Sequence, residues 1–402
     1  MLSFHSSVGC RMLPVACAAM LYCGVATAEI SDTIHPFVAI GYTYDDNLLR
    51  LPDDVPLQQQ RSDRATQAQA GVIVDRPIGR QRLSATAKVS RVTFDHYTQL
   101  DYNGKDIKAD LAWQLGNHLS GNVGGGYVQT LTPFSDYNSD ERNLRTSRRE
   151  YANGAWRFHP SWQVRSGFTR NRHEYELLAQ RVNNRTEDLA EVGFDYLDKS
   201  GSRVGLVVRQ LKGEYLNPRR INGVALDDNY TQDELKASVS WRFSGITYIE
   251  VLAGYARRKH DFFTGRDSSG ANGRASVNWA PLGKVKFRAE VWREFAAVES
   301  FIVSNSLNKG GSVSATWDVT SKVQGTASVR RETRQFEQLP TIGFTGNPDD
   351  RATSAQLGLA YAPTLHSQIG VSAFRERRNG SRLAGTNDYR SNGVSINASV
   401  QF

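Results

Sequence analysis

Residues 393–402 read GVSINASVQF. Val394, Ile396, Ala398, Val400 and Phe402 share one parity, and Ser395, Asn397, Ser399 and Gln401 share the other. Successive side chains of a strand point to opposite faces, so the segment is a strand with one apolar and one polar side. Taken alone, it would suit a half-buried strand of a soluble sheet equally well. The rest of the chain separates the two readings.

The same alternation recurs from Pro36 to Phe402. It is clear at Ile107, Ala109, Leu111, Trp113 and Leu115, and at Ala190, Val192, Phe194 and Tyr196. It returns at Leu235, Ala237, Val239, Trp241 and Phe243, at Val285, Phe287, Ala289 and Val291, and at Gly311, Val313, Ala315 and Trp317. No segment of comparable length reads as an amphipathic helix. Short connections near 75–80, 116–118, 159–161, 198–202, 244–246, 281–284, 319–322 and 363–366 alternate with long polar ones. The long ones fall near 46–62, 95–104, 132–143, 177–184, 216–228, 261–270, 298–307, 338–350 and 376–388. Short turns on one side and long loops on the other describe an all-β antiparallel transmembrane outer-membrane β-barrel of about 18 strands, with 16 as the alternative count.

Trp113, Trp156, Trp162, Trp241, Trp279 and Trp317 lie beside short turns on the apolar parity, joined by Phe158, Tyr196, Phe243 and Tyr361; Trp292 is the exception. Folded up, they predict an aromatic ring at one membrane interface. A barrel in lipid needs every backbone group paired, so the last strand is expected to seal against the first, HPFVAIGYTYDD (35–46). A terminal strand ending in Phe402 also resembles the signal read by the bacterial barrel-assembly machinery. Phe402 is therefore the expected assembly signal.

The N-terminal stretch places Arg11 before an apolar run from Met12 to about Cys23, followed by Ala26-Thr27-Ala28. This predicts a secretory signal peptide over 1–28 and a barrel domain over 29–402. All 3 cysteines (Cys10, Cys17, Cys23) fall in that leader, which argues against a disulfide scaffold or a thiolate metal site. A net charge of +8 is too mild for a nucleic-acid partner.

With the apolar parity toward lipid, the inward cations are Lys88, Lys108, Arg165, Arg203, Arg209, Lys236, Arg242, Arg274, Lys286, Arg288 and Arg330. The inward acids are Asp110, Glu191, Asp195, Glu234, Glu250, Glu290 and Asp318. Two readings fit: a solvated wall of cross-strand ion pairs, or a permeation path favouring anions. No strong inward aromatic ladder is expected. Lys236 is expected to face water and to be dispensable for folding.

His96, His173 and His260 fall near the long-loop rim beside Asp95, Glu174 and Asp261. No motif joins them, so no enzyme activity and no cofactor are expected. The carboxylates of YDDNLLRLPDD (44–54) could bind calcium or simply be solvated.

FVAIGYTYDDNLLRLPDD (37–54) resembles the first strand and loop of the EpsL-type exopolysaccharide biosynthesis outer-membrane proteins, a branch of the β-barrel porins of Gram-negative bacteria. Tyr44-Asp45-Asp46-Asn47 and Arg50-Leu51-Pro52 carry the match. The resemblance implies a porin-like component of exopolysaccharide export in the cell outer membrane. It also implies outer-membrane lipid, anionic polysaccharide and other export components as partners. The alternatives are a diffusion porin for small anionic solutes and a non-conducting structural barrel with glycan-binding loops.

Overall fold

The computed structural model describes residues 33–402 apart from 54–59, 222–223, 263–265, 299–302, 304, 337–348 and 382–383. The leader expected over 1–28 lies outside the described residues, as does Asp54.

The strands are β1 (Ile34–Asp45), β2 (Asp63–Ile78), β3 (Gln81–Phe94), β4 (Tyr102–Leu115), β5 (Leu119–Leu131), β6 (Leu144–His159) and β7 (Trp162–Tyr175). Next come β8 (Arg185–Leu197), β9 (Arg203–Tyr215), the short β10 (Arg219–Ile221) and β11 (Val224–Leu226), β12 (Tyr230–Ser244), β13 (Thr247–His260) and β14 (Ser268–Leu282). The last are β15 (Val285–Ala297), β16 (Asn305–Asp318), β17 (Val323–Phe336), β18 (Asp350–Thr364), β19 (Ser367–Asn379) and β20 (Tyr389–Gln401). All but β10 and β11 form one 18-stranded sheet, each strand antiparallel to its neighbours in chain order. β9 passes directly to β12, and β10–β11 form a separate hairpin within that loop.

The sheet closes. β1 pairs with β20 from Phe37↔Gln401 through Asp45↔Gly393, and the Phe402 amide donates to the Pro36 carbonyl at 2.7 Å. Closure leaves no unpaired edge, which apolar surroundings demand. Turn residues make the short connections cheap. Gly79 and Gly116 sit at φ 60° and 59°, a left-handed conformation in which a side chain would be strained.

Register assigns every side chain to a face. Trp156, Trp162, Trp241, Trp279 and Trp317 are exposed on the outer face near the short turns. Several pack on aromatic neighbours: Trp162 stacks on Phe194 (5.0 Å between ring centres), and Trp241 meets Phe243 edge-on (5.0 Å). Above this ring the outer face carries Val192, Val208, Val313, Val329 and Leu357, all exposed. Large apolar side chains pointing away from the molecule all round a closed sheet are the mark of a barrel solvated by lipid. Among the described residues, no helix is long and apolar enough to cross a membrane.

Candidate functional site

The interior is lined by the opposite parity. The pairings put Arg165 (β7), Arg203 and Arg209 (β9), Lys236 and Arg242 (β12), Arg274 (β14), Lys286 and Arg288 (β15) and Arg330 (β17) on this inner face. Most are held by carboxylates on the same or the next strand. Arg165 reaches Asp195 at 3.0 Å, Arg209 reaches Glu234 at 2.7 Å and Glu191 at 3.2 Å, and Arg203 donates to Ser240 at 3.0 Å. Arg274 bonds Glu290 and Glu294, Arg288 lies 3.5 Å from Glu290, Lys286 lies 3.8 Å from Asp318, and Arg330 pairs with Glu332. Arg242 is exposed near the short-turn mouth.

Many of the inner-face pairs are lopsided toward the cation, although Arg209–Glu191 (16% against 31%) and Arg165–Glu191 (14% against 31%) lean the other way. In Lys108–Asp106 the lysine side chain is 59% exposed and the carboxylate 11%. Arg288–Glu290 gives 43% against 13%, and Lys286–Asp318 gives 63% against 35%. Lys88–Asp106, Arg203–Asp195, Arg330–Glu332 and Arg334–Asp350 lean the same way. Short carboxylates stay close to the sheet while long cationic stems carry their charge past them. At these pairs a wall that is nearly balanced in charge presents its cations to the lumen.

The inner face holds more charge than the sequence reading placed there. Arg145, Arg149, Arg185, Arg258, Arg334 and Arg378 also point inward, as do Asp106, Glu187, Glu294, Glu332, Asp350 and Glu376. They lie toward the long-loop ends, where the outer face is polar too and the alternation fades. Lys236 departs from expectation: it is inward but only 2% exposed, bonded to Glu234 and to Asn272, each at 2.9 Å. Breaking a buried pair on one side is costly, so neutralising Lys236 is expected to lower stability. Trp292 is the tryptophan outside the interfacial ring because it points inward, buried. Its Nε1 donates to Glu332 at 2.9 Å, and the Arg330 and Arg274 guanidinium groups lie 4.0 and 5.3 Å from its ring centre. Gly310 makes its place, since a Cβ there would lie 2.5 Å from the indole. Further inward aromatics lie at the long-loop end, at Tyr175, Tyr215, Tyr230, Phe336 and Tyr389, all buried, and elsewhere along the wall, as at Tyr151 beside Asp110 and Tyr248 beside Glu250.

The histidines find partners other than those their sequence neighbours suggest. His96 meets Asp63 at 3.2 Å, His173 meets the Ser147 hydroxyl at 3.0 Å, and His260 meets Asn305 at 3.0 Å. Glu174 points outward, where Arg148 lies 3.9 Å away.

Two long loops fold into the barrel. In the first, Arg50 adopts φ 56° and buries its guanidinium against Asp45 (2.8 Å), Glu376 (3.2 Å) and the Asn47 carbonyl (2.6 Å). Asn47 donates to the Leu51 and Arg390 carbonyls and accepts from the Leu51 amide, each at 2.9 Å. Ser391 donates to Asp45 at 2.7 Å, and Asp46 takes both the amide and the side chain of Asn392. Burial alone would lower the Arg50 pKa, but Asp45 and Glu376 outweigh it and hold the group above its ordinary value. Of the carboxylates of 44–54 considered for calcium or solvent, the three described ones are engaged by this chain: Asp45 and Asp46 as above, and Asp53 by Arg390 at 3.4 Å. Leu49 and Leu51 complete the lock by packing on Val92, Phe94 and Leu100.

The loop between β5 and β6 crosses further. Phe134 packs against the same apolar cluster. Arg378 of β19 donates to the Ser135 carbonyl, Asp136 lies 3.9 Å from Arg334 of β17, and Asn138 donates to the Arg50 carbonyl at 3.3 Å. β17 lies nearly half-way round the ring from β5. The interior is thus narrowed at the long-loop end and solvent-lined toward the short turns.

Residues 226–402 match the family described as "Putative beta-barrel porin 2". No curated protein matches the chain. Several solved structures align along nearly all of the described chain. Pseudomonas aeruginosa OpdK with vanillate is 10% identical over 92% of this chain and 99% of its own, at a TM-score of 0.47. P. aeruginosa OccK2 (OpdF) in complex with glucuronate is 9% identical over 92% and 98%, at 0.49. Acinetobacter baumannii OccAB3 is 10% identical over 93% and 100%, at 0.48.

Proposed function

We propose that this barrel is an outer-membrane diffusion channel that prefers small anions, constricted near its long-loop end by the two inward loops. The observation that carries the reading is the lopsided inner wall, where exposed Lys108, Lys286 and Arg288 stand over more deeply set carboxylates. Charges lining a water-filled passage act on ions within roughly 8 Å at physiological ionic strength, so the exposed member of each pair sets the local potential. The family match over 226–402 supports a porin-like role without specifying a solute.

Export of exopolysaccharide is the second reading, and it rests on the resemblance at 37–54. Those residues have a folding role, locking the first loop to the barrel wall, so their pattern does not by itself call for a polymer. The test is reversal potential in planar bilayers under a KCl gradient. The purified chain should favour chloride, and Lys108→Gln/Lys286→Gln/Arg288→Gln should move it toward no preference with unchanged heat-modifiable migration. A cation-selective wild type, or no conductance at all, refutes the proposal. Loss of released polymer in a deletion strain, with no conductance from the pure barrel, would favour export.

A further inference from the structure

The outer face is not the same at its two ends. Near the short turns it is aromatic. Beyond the apolar band on β15–β20 it carries Arg293, Lys309, Arg331, Arg351, Arg375, Arg377 and Arg390, at least one on each strand. The carboxylates of these strands, among them Glu290, Glu294, Glu332, Asp350 and Glu376, fall on the inner face and bond inward.

The register makes the row costly as it stands. Arg293 lies directly opposite Lys309, and Arg377 directly opposite Arg390. Like charges facing across strands repel. Arg331 is opposite Thr353, and Arg351 opposite Thr333, which sets these two arginines diagonally between the pairs. Their acceptors are mostly neutral: Arg293 donates to the Ala271 carbonyl, Lys309 to Gln335 at 2.6 Å and Arg377 to Asn379 at 3.2 Å. Arg390 meets Asp53 across an exposed 3.4 Å pair. Arg331 and Arg351 are exposed with no side-chain partner among the described residues. On β6–β9 the outer face also carries carboxylates, as Arg170 has Asp188 at 2.6 Å and Arg148, which faces Arg172, has Glu174 at 3.9 Å.

We infer that this row binds the phosphate groups of a phosphorylated glycolipid in the leaflet on the long-loop side. The inference rests on the outer-membrane reading. Val291, Val313, Val329 and Leu357, exposed directly below the row, place it where acyl chains give way to headgroups. Arginine's planar fork suits phosphate oxygens, and an anion between facing cations converts their repulsion into attraction.

The test uses the folded full-length barrel in detergent, with bis-phosphorylated lipid A and the same lipid after dephosphorylation as probes, read by retained lipid in native mass spectrometry. The phosphorylated lipid should bind at least about tenfold more tightly, and Arg331→Gln/Arg351→Gln/Arg377→Gln should abolish that difference through lost charge-assisted bonds. An Arg170→Gln/Asp188→Asn control on β7–β8 should retain it. Equal binding of the two lipids, an undiminished difference in the triple variant, or inorganic phosphate competing as strongly as the lipid would each overturn the inference. Heat-modifiable migration of each variant excludes misfolding as the cause. Conductance of the same triple variant should match wild type, because the row lies outside the lumen, so failure here is distinguishable from failure of the channel reading. Surface labelling of a tag at 132–143 in intact cells checks the orientation on which both depend.

Discussion

Replacing Arg50 isolates the lock on the first loop. Its guanidinium is 6% exposed and sits between Asp45 (8%) and Glu376 (17%), with two loop carbonyls also accepting from it. Arg50→Ala leaves those carboxylates buried without their shared cation, a change that typically costs about 3–5 kcal/mol. Arg50→Gly removes the same charge but relieves the left-handed backbone, which holds on the order of 1–3 kcal/mol of strain in a non-glycine residue. The glycine variant should therefore be the more stable of the two. Arg50→Met/Asp45→Asn/Glu376→Gln removes the uncompensated charges and should recover more than half of the alanine loss. Urea unfolding in detergent, followed by heat-modifiable migration, gives the stabilities; limited proteolysis at 46–62 reports the loop. An Arg50→Ala barrel within about 1 kcal/mol of wild type and equally protease-resistant would refute the reasoning, since a buried pair broken on one side cannot be that cheap.

Val239→Arg places a cation on the lipid face and should cost about 2–4 kcal/mol near the midplane, measured by the same unfolding assay. Lys236→Met should cost about 1–3 kcal/mol through its lost bonds to Glu234 and Asn272, although it points inward. A variant retaining only Trp292 should escape quenching by brominated lipid, whereas one retaining only Trp317 should be quenched; the opposite ranking would mean the faces of β15 or β16 are reversed. Burial raises the Asp228 carboxyl, but Arg219 and Arg266 outweigh it and hold it below its ordinary 3.8. Because that pKa is depressed on folding, its stabilisation is fully present above 3.8 and is lost as pH falls through the lowered folded value. Proteolysis of the 216–229 loop by an acid protease should accelerate only in that acidic window, and Asp228→Asn should show the faster rate at neutral pH.

The architecture was readable because lipid imposes a strict rule on the outer face, and a period of two repeated along the chain records it. The loops at 46–62 and 132–143 and the turns at 116–118 and 198–202 match the strand ends observed. The interior was less readable. Parity assigns Lys236 to the inner face but says nothing of depth, and depth depends on Asn272 two strands away. The contacts of Asp136 and Arg50 join residues distant in sequence, so no local pattern announces an inward loop. The 44–54 motif drew notice as a word shared with other barrels, while its physical content, a buried arginine tying loop to wall, appears only once Glu376 and Ser391 are brought beside it.

That lock has a temporal meaning. Asp45 bonds Ser391 across 346 residues, and Arg50 bonds Glu376 across 326. Neither bond can form until the final hairpin has arrived and zipped against the opening strand. Contacts of such high sequence separation are favoured only after the long intervening chain is already ordered. The first loop to emerge is thus among the last to settle. A chain stalled before its closing hairpin would keep that loop loose, giving quality-control proteases a mark of unfinished barrels at the opposite end of the chain from the defect.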